Sequence, residues 1–221
     1  MTTAGLQKPE PRAEAPRPRL LDLAGLRLVR LHLASRRVPG ALGALALCGL
    51  VLRAALYWHW SLGSGPGAQE LAVVLEAGAA SVIAVTAQNP FGDPERATGR
   101  WLPYLRLGTA VGLTAAAFGA LCAGAAAEQL PGGTLDILRN TAGMTGIGLL
   151  LAGVIGGALA WVGPMAYMVV CLFAVSDGWT TPWLWPARPP HDLGGALCAG
   201  LVFAAGLIVA TVRGARAPRE I

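Results

Sequence analysis

Six apolar stretches long enough to cross a bilayer constrain this chain more than any motif in it: residues 41–60, 70–88, 104–127, 140–156, 158–175 and 193–212. A hydrocarbon core of roughly 30 Å is spanned by about 20 apolar residues in a helix. The first, second, third and sixth stretches meet that length comfortably, and the fourth and fifth lie near its lower edge. The expectation is an all-α, polytopic membrane protein with six transmembrane helices. Function is then to be sought in transport, membrane-embedded chemistry or membrane scaffolding. Charged residues make up only 13% of the chain, about half the share of a soluble domain, which leaves no room for a separate soluble catalytic domain. Lys8 is the single lysine against 16 arginines. That ratio points to GC-rich coding, so the abundance of Ala and Gly is in part codon bias.

Orientation follows from the basic residues. Lys8, Arg12, Arg17, Arg19, Arg27, Arg30, Arg36 and Arg37 precede the first span, Arg96, Arg100 and Arg106 lie between spans two and three, and Arg213, Arg216 and Arg219 follow the last. Only Arg139 and Arg188 fall on the other side, with Arg53 inside span one. This bias places both termini in the cytoplasm of a multi-pass protein of the bacterial inner membrane. The net charge of +5 is therefore a topology signal and requires no nucleic-acid partner.

Residues 1–18 hold Pro9, Pro11, Pro16 and Pro18 among charges and read as a disordered cytoplasmic tail. No apolar core of a signal peptide begins within the first 30 residues, so nothing reads as cleavable. In residues 19–37, Leu20, Leu23, Val29 and Leu31 alternate with Arg27, Arg30, Arg36 and Arg37. That pattern predicts an interfacial amphipathic helix lying in the headgroup layer, either a simple anchor or an elbow leading into the first span. Residues 38–213 form the transmembrane domain, and 214–221 a second cytoplasmic tail.

Enzymatic chemistry finds little footing. Cys48, Cys122, Cys171 and Cys198 sit in four different spans without a CxxC pair, and neither they nor His32, His59 and His191 have metal-ligand spacing. A phosphate-cradling loop needs a lysine after its glycines, and Lys8 lies in the tail. Any ATP-driven activity must borrow its motor from another polypeptide. The chain by itself is not expected to be an enzyme or to hold a cofactor or metal.

Two charges fall inside the spans. Arg53 lies seven residues before the outer end of span one and Glu76 six residues after the outer start of span two, each about 10 Å below the surface at 1.5 Å per residue. Pairing would lower the cost of both; separate snorkelling to water is the alternative. The expectation is a structural intramembrane pair, Arg53 with Glu76. On the outer side, residues 179–192 (WTTPWLWPARPPHD) combine Trp179, Trp183 and Trp185 with four prolines that forbid a long helix. They read as an aromatic belt on the outer leaflet or as an outer gate. Asp136 and Arg139, one helical turn apart, are able to pair locally. Gly148, Ala152 and Gly156, with Gly153 and Gly157, make a small-residue seam for close packing within the chain or between copies.

The cytoplasmic loop NPFGDPERATGRWLPYLRLGTA (residues 89–110) is the most specific stretch. Asp93 is suited to cap a helix begun by Pro94, Glu95 adds charge of the right sign to its first turn, and Gly99 ends it. A capped, charged helix there looks like a docking element. The basic interfacial helix, six spans with both ends inside, and Glu95–Arg96 followed by Gly99 resemble the permease subunits of type-2 ABC exporters, which move drugs, polysaccharides or lipids. That family's loop often reads Glu-Arg-Glu-x-Gly-Thr; here Ala97 replaces the second acidic residue and Arg100 the threonine. The resemblance implies an ATPase-coupling loop over residues 91–102 (Asp93, Pro94, Glu95, Arg96, Gly99, Arg100), an ABC ATPase subunit as partner, and a second permease subunit in the same lipid membrane. It also implies a tight turn near Gly156–Gly157 and a re-entrant outer segment before span six. The competing classes are a stand-alone secondary transporter, which predicts several intramembrane carboxylates where only Glu76 qualifies, and a non-transporting scaffold or immunity protein.

Overall fold

In lipid every backbone N–H and C=O must be satisfied within the protein, and a helix does this within each segment. The apolar stretches accordingly fold as α1 (Val38–Tyr57), α2 (Pro66–Thr86), α3 (Leu102–Ala125), α4 (Gly133–Val154), α5 (Val162–Asp177) and α6 (Leu193–Val212). Short 3-10 turns at Gly157–Leu159 and Trp185–Ala187 precede α5 and α6. The structure, a computed structural model, describes residues 37–58, 66–87, 102–126, 132–179 and 181–213. Among these there is no strand, and six helices are long and apolar enough to cross a membrane, the fifth taken from Gly157 to Asp177. The tails and nearly all of the interfacial segment 19–37 lie outside the described residues.

Burial and hydropathy run in opposite directions. The most apolar span, α6, has 17% of its span residues buried, whereas the least apolar, α4, has 67%. Leu197, Leu201, Ile208 and Val212 all point outward from α6. A protein folding in water would hide them; a lipid solvent leaves no such requirement. Polar α4 is the hub, pairing most extensively with α6 and then with α2, and touching α3 and α5 as well. On the other side of the bundle α1 packs against α3 and α2, around Leu45, Leu52, Ile83, Leu113 and Leu121.

The central position of α4 corrects the expected span. It starts at Gly133, seven residues before position 140, because Asp136, Arg139 and Asn140 turn into the bundle and are not held back at its surface. The small-residue seam is used within the chain: Gly148 meets Ala84 of α2, and Gly153 meets Val209 of α6. α4 and α6 also meet backbone to backbone, where a Cβ on Gly206 would stand 2.6 Å from the carbonyl oxygen of Gly146. The tight turn expected at Gly156–Gly157 is present, with Gly156 at φ 102° and ψ 156°, a conformation open to glycine.

Candidate functional site

The starts of α2 and α4 meet the segment that precedes α6 at one end of the bundle, called here the far end. Prolines 182, 186, 189 and 190 shape this segment. Each removes an N–H and blocks helix formation, so nearby carbonyls have few backbone donors and need side chains in their place. Three helices supply them. Gln69 of α2 donates to the Pro186 carbonyl (3.0 Å), and Tyr167 of α5 donates its hydroxyl to that of Trp183 (2.6 Å). Arg139 of α4 donates to the carbonyls of Pro189 (2.8 Å) and Arg188 (3.0 Å), while pairing with Asp136 at 2.7 Å. The local pairing of Asp136 with Arg139 is thus present. It is buried, and it ties α4 to the segment.

Trp185 is the apolar anchor of the same arrangement. It is 3% exposed, its ring centroid is 4.6 Å from that of Tyr167 at 34°, and it lies over Gly143, where a Cβ would come within 2.6 Å of the indole. Gly143 is the tenth residue after the start of α4, and Tyr167 the tenth before the end of α5. The Trp185 backbone lies beside Gly195, two residues after the start of α6, and its ring reaches inward from there to Gly143. The segment folds back among the helices. Trp179 and Trp183 are exposed. Trp185 departs from the belt because Gly143 leaves space for its ring.

Arg188 and Asp192 close the segment. The guanidinium donates twice to the carboxylate, at 2.9 and 2.6 Å, and Asp192 also accepts from the Gly195 N–H at 2.6 Å, capping α6. The Arg188 guanidinium first, and the Gly195 amide second, hold the Asp192 carboxyl below its usual range. A group whose folded value is lowered contributes stability above its unfolded value, about pH 3.9 for Asp, and loses it as pH falls through the folded value. Acidification below about pH 4 is expected to loosen the start of α6, seen as a change in tryptophan emission, and Asp192→Asn is expected to flatten that change. An unaltered acid transition in the variant would assign it to another group.

The expected pair of Arg53 with Glu76 is corrected. Arg53 lies on the exposed face of α1, Glu76 is 2% exposed, and no ion pair joins them. Glu76 faces α4 instead, with the Asn140 side chain beside it. Because α2 begins at Pro66, Glu76 is ten residues, about 15 Å, from its end, deeper than the sequence implied. Asp93, Pro94, Glu95, Arg96, Gly99 and Arg100 lie outside the described residues. The donors Gln69 and Tyr167, and Asn140, were missed. The signal available for the last was a charged and polar run, Asp136 to Asn140, at the mouth of an apolar stretch. A cleft of about 390 Å³ between α4, α6 and the proline segment has walls that include Leu135, Leu138 and Ala196, and a polar side formed by Arg139, His191 and Asp192. No protein-family model, curated protein or solved structure matches this chain.

Proposed function

We propose that this chain is the membrane-spanning permease subunit of an ABC exporter, driven by a separate ATPase that docks on residues 91–102. The observation that carries this reading is the segment before α6, folded back against α4 and α5 with Trp185 buried between them. Such a segment fits the re-entrant outer element the resemblance implies, and the glycine turn before α5 accompanies it. The inverted burial of the spans supports a multi-pass protein of the bacterial inner membrane, and the arginine distribution supports cytoplasmic termini. ATP closure of the motor would pull on the helix begun by Asp93 and Pro94 and move the bundle between inward- and outward-open states. Cargo would pass between this chain and a second permease subunit. A hydrophobic or amphipathic compound suits a surface whose 390 Å³ cleft pairs apolar walls with one polar side.

Co-purification from mild detergent tests the reading. An ATPase is expected to accompany the native chain, and Glu95→Ala with Arg96→Ala is expected to reduce its recovery by at least about tenfold, the effect of about 1.4 kcal/mol. If no nucleotide-binding partner comes down with the native chain, even after crosslinking in cells, the permease reading fails.

A further inference from the structure

The far end also holds a small polar cavity that the docking of the proline segment leaves unused. It is lined by Gln69, Ala72, Glu76, Gly132, Asp136 and Asn140, among others, and its volume of about 20 Å³ accepts one water molecule. Gly132 and Gln69 place its mouth near the starts of α4 and α2, and Glu76 lies at its floor. Glu76 Oε2 is fully buried and meets no hydrogen-bond donor. The charged and titratable groups facing it are Asp136 and Arg139 on α4, Cys122 on α3 and Cys171 on α5. Arg139 is already engaged by Asp136 and by two carbonyl oxygens, so it does not serve as a counterion for Glu76. An ionised carboxylate with an orphan oxygen is strongly disfavoured in such surroundings. A carboxylic acid donating its O–H to one water in the cavity is not.

We propose that Glu76 is a proton-binding site: its carboxyl holds one exchangeable proton, shared with a single water in this cavity and exchanged through the far end of the bundle. The O–H bond of the acid breaks, the proton passes to the cavity water and on to bulk water, and the return step restores the acid from the same side. A bare metal cation fits less well, because one of the two carboxylates lining the cavity, Asp136, is already paired with Arg139, and there is room for only one water. The site stands on the geometry of α2 and α4 and is independent of the ATPase reading.

Infrared spectroscopy of the full chain in lipid nanodiscs tests this. At neutral pH a carboxylic-acid carbonyl band is expected, shifted in D₂O, lost in Glu76→Gln and retained in Glu70→Gln. Asn140→Ala is expected to move the band without removing it, and Ala72→Val, which narrows the cavity, to slow its deuterium shift several-fold. The assignment is overturned if the band is absent from the native chain, if it survives Glu76→Gln, or, should Glu76→Gln not fold, if Asn140→Ala leaves its frequency unchanged. Loss of the band when sodium chloride replaces choline chloride would give the cavity to a metal cation and equally overturn it.

Discussion

Trp185→Ala is expected to destabilise the bundle by about 3–5 kcal/mol, the range for emptying a buried aromatic site, and to release the segment between α5 and α6. The indole fills the space over Gly143 and packs on Tyr167, and the neighbouring carbonyls of Trp183 and Pro186 are held by donors from two other helices. Without the ring those hydrogen bonds must hold a proline-rich segment against a void. The indole N–H has no hydrogen-bond partner, so Trp185→Phe removes volume alone and is expected to cost much less. Thermal unfolding in detergent, together with protease access to residues 181–192, reads both effects. A Trp185→Ala protein that melts with the native one and resists nicking would show that the ring is not an anchor.

Arg139→Met is expected to cost a similar amount, about 3–5 kcal/mol. One guanidinium compensates the buried Asp136 and satisfies the carbonyls of Arg188 and Pro189. Removing it strands the Asp136 charge and the Arg188 carbonyl together, while the Pro189 carbonyl keeps the Asp192 N–H. The double change Asp136→Leu with Arg139→Met removes the stranded charge, and buried ion pairs are often replaced by apolar residues at little net cost. Here the Arg188 carbonyl still lacks its donor, a loss of about 1–3 kcal/mol when buried and unmet. The double variant should therefore recover part of the loss and fall short of the native protein. Equal stability of the single and double variants would mean that Asp136 does not depend on Arg139.

Local spacing carried the sequence reading wherever one helix decides the outcome. The pairing of Asp136 with Arg139 needs only their i, i+3 spacing on one helix, and the break at Gly156–Gly157 needs only a backbone that glycine permits. The reading went astray where a second helix decides. Hydropathy trimmed the start of α4 because Asp136, Arg139 and Asn140 look like surface residues until α2 and the proline segment are packed around them. Glu76 was matched to Arg53 by depth along neighbouring spans, and depth says nothing of the direction in which each helix face points. Trp185 looked like its neighbours Trp179 and Trp183, all three being tryptophans in one short proline-rich stretch.

The sequence by itself determined the solvent and the element count, because an apolar stretch of bilayer length has few ways to satisfy its backbone in lipid other than a helix. It also located the break at Gly156–Gly157 and the proline segment before α6. The tertiary structure alone decided which helix is central and which side chains face one another. In lipid the interior is not selected by being apolar. It is selected by the small residues that let Gly146 and Gly206 approach and by polar groups, such as Glu76 and Arg139, that have nowhere else to go. Those choices depend on rotation of each helix about its axis, which hydropathy summed along a span does not record.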